Sequence, residues 1–103
     1  VAGFRILNLF EDTLDLAEGI FTHHENWDGS GYPRGIKGEE IPLTGRILHA
    51  AETYDEILMS LEKGVLTHEE ALDKIRGLRG TFIDPMIADI LVSMVMNAEE
   101  NQA

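Results

Sequence analysis

The chain has 103 residues, enough for one domain around a single hydrophobic core. Its 19 acidic and 8 basic residues give a formal net charge of −11, a field that repels nucleic acid and anionic membrane surfaces, so we expect neither as a partner. An anionic small ligand would need a metal ion or a local cationic cluster. The sequence has no cysteine, which favours a cytoplasmic location.

The first predicted element is a helix, or two short helices that meet near Glu11. Apolar residues recur there at every third or fourth position, a period typical of one helix face. These residues are Ile6, Phe10, Leu14, Ala17 and Phe21. The period stops after His24, and residues 26–41 contain four glycines and one proline, which predicts a long loop.

Three further helices follow the loop. The second begins at Pro42 and ends near Gly64, the third begins with a capping box of Thr67 and Glu70 and ends near Gly80, and the fourth begins at Asp84. Their inward stripes are predicted to be Ile47, Ala51, Tyr54, Leu58 and Leu61; then Ala71, Leu72, Ile75 and Leu78; then Ile87, Ile90, Leu91 and Met94. No segment alternates as a strand would, so the predicted class is all-α, with about four to five helices.

Long loops without regular structure are uncommon in small domains unless they bind or gate something. One interpretation of this loop is purely structural, with Trp27 and Tyr32 packing glycine-rich turns over the core. The other depends on His23 and His24 at its start, because adjacent histidines at a helix end can reach two neighbouring ions. The spacing excludes a zinc-peptidase motif, and Tyr32 and Pro33 occupy calcium-loop positions that need an oxygen ligand and a glycine.

The sequence resembles the HD-GYP family, metal-dependent phosphodiesterases of cyclic di-GMP with an all-helical fold. The resemblance is carried by residues 23–33 (HHENWDGSGYP), 46–48 (RIL), 51–55 (AETYD) and 80–85 (GTFIDP), with Gly3, Ile6 and Leu7 upstream. It covers essentially the whole chain. Residues 1–103 are therefore expected to be the C-terminal half of an HD-GYP domain, a helical fragment with a long GYP loop.

The resemblance implies a metal site. His23 and His24 match paired histidines that, in the family, ligate two or three metal ions, usually iron or manganese. Glu52 stands where the family has a ligating aspartate, and Asp55 matches a position expected to support that segment by hydrogen bonding. In a complete enzyme these residues would take part in metal-assisted hydrolysis of cyclic di-GMP or another small phosphoester.

The family's glycine-tyrosine-proline loop also contacts partner signalling domains. The matching residues here are Trp27, Asp28, Gly29, Gly31, Tyr32 and Pro33. This implies an alternative function as a degenerate, non-catalytic regulatory or interaction module. Leu61 and Gly64 favour the alternative, because the family places phosphate-binding cations there. The sequence also lacks the histidine-aspartate pair that names the family, so we expect the isolated chain to be inactive.

The apolar opening of the chain, which includes Phe4, Ile6, Leu7, Leu9 and Phe10, predicts a surface that needs covering. We therefore expect a homo-oligomer. Two histidines lie outside the motif, and His49 is expected on a helix surface and His68 in an exposed first turn.

Overall fold

The computed structural model describes residue 14 and residues 16–102, with side chains as far as Ala98. Residues 16–22 are helical and are called α1. They are followed by a long loop with a short 3-10 helix at Gly38–Glu40, and then by α2 (Leu43–Glu62), α3 (His68–Leu78) and α4 (Pro85–Gln102). The part of the chain that is described contains no strand, only an isolated bridge between Arg79 and Ile83. The predicted all-α class is confirmed.

Local chemistry fixes where α3 and α4 begin. The Thr67 hydroxyl accepts the backbone N–H of Glu70 at 3.1 Å, while the Glu70 carboxylate accepts the N–H of Thr67 at 3.0 Å. Asp84 caps α4, because its carboxylate accepts the N–H of Met86 at 2.8 Å. Both caps satisfy donors that a helix start leaves unpaired. The predicted capping box is confirmed.

The core lies between α2, α3 and α4. The buried cluster comprises Ala50, Ile57, Ala71, Ile75, Ile83, Ile87, Ala88, Leu91 and Val95. Ala71 and Ile75 of the predicted α3 stripe are buried, and Leu72 and Leu78 pack against the cluster. The prediction for α3 is therefore confirmed.

The predicted inward stripe of α2 is correct for Tyr54 and Leu61, which pack against the core cluster, and wrong for Ile47, Ala51 and Leu58, which are exposed. Ile47 and Leu58 are 49% and 37% exposed, and the buried face instead carries Gly45, His49, Ala50, Thr53 and Ile57. The reason is a close crossing with α1: a Cβ added to Gly45 would lie 2.1 Å from the Thr22 hydroxyl oxygen. A hydropathy pattern cannot show that small and polar residues are buried at a close helix crossing.

Other predicted inward residues also face outward. Leu14, Ala17 and Phe21 are exposed on the first helical segment, and Ile90 and Met94 are 52% and 41% exposed on α4. An apolar groove of about 490 Å³ lies between α2 and α4. Its lining includes Leu43, Ile47, Met86, Ile90 and Met94. The predicted stripe residues Ile6 and Phe10, and the apolar opening with Phe4, Leu7 and Leu9, lie outside the described residues.

None of the helices within the described residues combines the length and the apolar character that crossing a membrane requires.

Candidate metal centre

Three potential metal ligands meet where α1 ends beside α2. His23 and His24 directly follow α1, and Glu52 lies on the facing side of α2. One ligand atom from each residue lies within 4.8 Å of the other two. The structure therefore brings together His23, His24 and Glu52, the three residues that the sequence predicted as ligands.

The His23 ring is oriented by the backbone. Its Nδ1 contacts the carbonyl oxygen of Ile20, and this leaves Nε2 turned toward Glu52. That Nε2 lies 3.4 Å from Oε1 of Glu52. A proton on Nε2 or a metal ion between the two atoms would join them at this distance.

A divalent metal ion fits this arrangement. Nitrogen and carboxylate oxygen ligands lie about 2.0–2.2 Å from such an ion, so ligand atoms around it are separated by roughly 3–4 Å. The 3.4 Å between His23 Nε2 and Glu52 Oε1 falls in that range. Imidazole and carboxylate together suit a borderline metal such as iron, manganese or zinc.

The second histidine is held between two rings. The centroid of the His24 ring lies 4.9 Å from that of Tyr32 with the planes 15° apart, and 4.0 Å from that of His23. The backbone joins the same residues, because the N–H of Tyr32 donates to the His24 carbonyl at 3.3 Å. Tyr32 itself is 62% exposed. Its ring thus covers one face of His24 while remaining open to solvent on the other side.

Glu25 comes directly after the two histidines but turns into the protein. It is 1% exposed, and its two carboxylate oxygens accept the backbone N–H groups of Arg34 and Gly35 at 2.8 and 2.9 Å. No role was predicted for Glu25. Its place beside the histidines was the only available signal, because hydropathy predicts an exposed glutamate.

The loop residues predicted to contact partners differ in exposure. Trp27 is half-buried, and its backbone joins the turn between α3 and α4 through a 3.3 Å hydrogen bond from its N–H to the Phe82 carbonyl. Asp28 is exposed, and hydrogen bonds from Ser30 hold its pKa below the ordinary value. Gly29 has φ of 86°, a conformation that favours glycine. Pro33 is exposed and follows a cis peptide bond.

Gly31 is where the loop passes closest to the histidine segment. A Cβ added there would lie 2.4 Å from the His24 carbonyl oxygen and 2.5 Å from the backbone nitrogen of Asn26. No side chain fits at this point, so the spacing of the loop from the metal ligands depends on a glycine.

The remaining predicted positions lie on α2 and beyond it. Asp55 is exposed and lines the same cleft as His23 and Glu52; among the described residues its carboxylate has no hydrogen-bond partner, so its supporting role stays a prediction. Leu61 packs against the core. Gly64 has φ of 74° just after α2 ends. Neither residue offers a cation to a phosphate.

His49 is not on the helix surface, as predicted, but 8% exposed, and its ring centroid lies 4.3 Å from that of Phe82. Burial lowers its pKa below the ordinary 6.5, although nearby backbone oxygens of His23 and Phe82 favour the charged form. Its Nε2 has no partner within the described part of the chain. His68 was predicted to be exposed, but it is half-buried at the start of α3.

The chain is similar in sequence to known proteins over most of its length. The profile of the HD domain family matches residues 2–87. The chain is 40% identical over 95 residues to a cyclic di-GMP phosphodiesterase of Thermotoga maritima, covering 89% of this chain and 26% of that protein. It is 47% identical over 68 residues to a probable cyclic di-GMP phosphodiesterase of Vibrio cholerae, covering 65% of this chain and 15% of that one.

A solved structure is also similar. It is that of a cyclic GMP-AMP specific phosphodiesterase of Vibrio cholerae, with a TM-score of 0.70 and 35% identity over 81% of this chain. The chain covers 19% of that structure, and about a quarter or less of the two curated relatives.

Proposed function

The chain belongs to the HD domain family, and from that membership we propose that it forms the C-terminal half of an HD-GYP domain in a bacterial signalling phosphohydrolase. The proposed substrate is a cyclic dinucleotide, most simply cyclic di-GMP. The support is that the two curated relatives are named for that substrate, and a solved relative for cyclic GMP-AMP.

The proposed role of this half is to hold metal. Phosphohydrolases of this family are metal-dependent, and we assign His23, His24 and Glu52 as ligands of a divalent ion, iron or manganese. The observation that carries the assignment is the meeting of one ligand atom from each of these three residues within 4.8 Å, with His23 Nε2 3.4 Å from the Glu52 carboxylate. When bound, such an ion supplies positive charge to a phosphate that this chain of net charge −11 would otherwise repel.

By itself the chain is proposed to be inactive. Two imidazoles and one carboxylate can hold one ion, but they leave too few donors to fix a second at a reactive spacing. Leu61 and Gly64 replace the cations that would bind substrate phosphates. Each missing charge-assisted contact is worth about 1.5–3 kcal/mol, or roughly one to two powers of ten in affinity.

Titration calorimetry with Mn²⁺ and Fe²⁺ tests the metal assignment on this chain. We expect one ion to bind to the wild type and much weaker binding to His23→Ala, with no release of linear dinucleotide from cyclic di-GMP. In the full-length protein, His23→Ala should abolish hydrolysis. Lack of binding of either ion by the wild-type chain would refute the metal site, and turnover by the chain alone would refute its inactivity.

A second candidate is a non-catalytic module that binds a signalling protein through the GYP loop. The core packing of Leu61 favours it, because that side chain cannot be recruited to hold phosphate. The exposed Tyr32 would be the aromatic contact. Under this function Tyr32→Ala abolishes partner binding in the full-length protein and leaves its metal content unchanged. Under the enzyme function His23→Ala abolishes activity and leaves partner binding unchanged.

We also propose that the isolated chain forms a homo-oligomer through the apolar groove between α2 and α4. Ile90 and Met86 are 52% and 61% exposed there, and a second copy of the chain would cover them. Light scattering should give more than one monomer mass for the wild type and a monomer for Ile90→Lys. A monomeric wild type at high concentration would contradict the proposal. The cytoplasmic location stays a prediction.

A further inference from the structure

The buried carboxylate of Glu25 ties together the two ends of the GYP loop. Its oxygens accept two consecutive backbone N–H groups, those of Arg34 and Gly35, at 2.8 and 2.9 Å. Glu25 is 1% exposed, so its carboxylate is removed from water, whereas the two donor residues lie at the surface. The two hydrogen bonds close a loop that runs from Glu25 to Gly35 and begins immediately after His24.

The loop that Glu25 closes positions Tyr32 beside His24. Tyr32 lies two residues before the first N–H that Glu25 accepts, and its own N–H donates to the His24 carbonyl at 3.3 Å. The two side-chain rings are then nearly parallel, 15° apart with centroids 4.9 Å from each other. His24 is exposed, and the Tyr32 ring covers the face of its imidazole with a nearly parallel contact, while His23 lies 4.0 Å away at a 38° tilt.

We propose that Glu25 is a positioning residue: it holds the Tyr32 ring against the His24 imidazole and thereby directs His24 toward the metal position shared with His23 and Glu52. Glu25 itself does not touch the metal. The metal part of this inference rests on the proposed function, whereas the stacking of Tyr32 on His24 is argued from contacts between the protein's own residues.

NMR on the metal-free chain tests the hydrogen bonds to Glu25 and the stacking of the Tyr32 ring on the His24 imidazole. In the wild type, the amides of Arg34 and Gly35 should exchange with solvent at least about tenfold more slowly than free loop amides. The His24 ring protons should be shifted upfield by the Tyr32 ring, with Tyr32→Leu as the reference for no shift. Rapid exchange of both amides, or an unshifted His24 ring, overturns the inference without any Glu25 variant.

Glu25→Gln is the decisive substitution, because its amide group presents a donor to one of the two N–H groups. We expect the upfield shift of His24 to be lost while far-UV circular dichroism still shows helix. Glu56→Gln is the matched control, since Glu56 is exposed on α2 and the charge change is the same. If Glu25→Gln folds and keeps the ring shift, the inference is wrong. If it does not fold, Glu25→Asp, which can reach only one N–H, should give a reduced shift; an undiminished shift contradicts the inference.

Mn²⁺ binding, followed by electron paramagnetic resonance, tests the consequence for the metal. Residues that orient a ligand typically change metal affinity about 10–100-fold, and we expect that loss in Glu25→Gln but not in Glu56→Gln. Equal affinity for wild type and Glu25→Gln overturns the positioning of His24. If the wild type binds no Mn²⁺, the proposed metal site fails, and the His24 ring shift still decides the role of Glu25.

Discussion

The guanidinium of Arg46 on α2 lies 2.8 Å from the carboxylate of Asp84 at the start of α4, and both groups are largely buried. Arg46 also donates through Nε to the Ile41 carbonyl at 2.9 Å. Asp84 also caps α4. One carboxylate therefore joins two helices and begins one of them.

Asp84→Ala should destabilise the protein by about 3–5 kcal/mol, because it leaves the Arg46 charge buried without its partner and removes the helix cap. Urea unfolding measures this loss. Asp84→Asn can keep the cap and should lose less. Asp89→Ala, which breaks the exposed pair with Arg79, is the control and should have a much smaller effect. Equal losses at Asp84 and Asp89 would show that burial of the first pair is unimportant.

Gly31→Ala should destabilise the loop, because its Cβ would meet backbone atoms 2.4 to 2.7 Å away. Backbone cannot rotate aside, so we expect a cost of about 1–3 kcal/mol together with weaker Mn²⁺ binding. Gly77→Ala on α3 is the control. Nothing lies within 4 Å of its added Cβ, and alanine there should stabilise by up to about 1 kcal/mol. An undisturbed Gly31→Ala variant would disprove the close approach.

Glu52→Gln should reduce Mn²⁺ affinity at least about tenfold, because the amide keeps the shape of the side chain but removes its charge. Calorimetry at constant pH measures the change. Glu56→Gln, one turn further along the same helix, should bind as the wild type does. A Glu52→Gln variant with unchanged affinity would remove Glu52 from the proposed ligand set.

The buried His49 makes stability depend on pH. Burial lowers its pKa below 6.5 in the folded protein, so the unfolded chain binds the extra proton first as the pH falls. The free energy of unfolding should therefore decrease below about pH 6.5, by no more than about 1.4 kcal/mol per pH unit, and level off below the folded pKa.

Urea unfolding from pH 7.5 to 5.0, with a chelator present, tests this dependence. His49→Leu should have a flatter profile than the wild type, and His68→Gln is the control for removing a histidine outside the core. Identical slopes for the wild type and His49→Leu would contradict the prediction.

Local signals predicted the parts of the fold that local chemistry controls. The capping box at Thr67 and the stripe around Ile75 depend on residues a few positions apart, and both were predicted correctly. The meeting of His23, His24 and Glu52 followed from the family resemblance, since no local rule relates residues almost thirty positions apart.

The wrong predictions for α2 and His49, and the missed role of Glu25, have a different cause. The buried face of α2 was misassigned because a close crossing at Gly45 selects small and polar residues, which hydropathy scores as outward. His49 is buried on the same face of α2, where its ring packs against Phe82. The role of Glu25 depends on the path of the loop, and a sequence does not show where backbone N–H groups will converge.

The hydrogen bonds that join the GYP loop to the turn between α3 and α4 have a consequence for cooperativity. The N–H of Asp28 donates to the Thr81 carbonyl at 2.9 Å, alongside the bond from Trp27 to Phe82. We therefore expect the segment that follows the histidines to open together with the α3–α4 hairpin. An ion bound at the proposed metal site would then also stabilise that hairpin, and opening the hairpin would weaken ion binding.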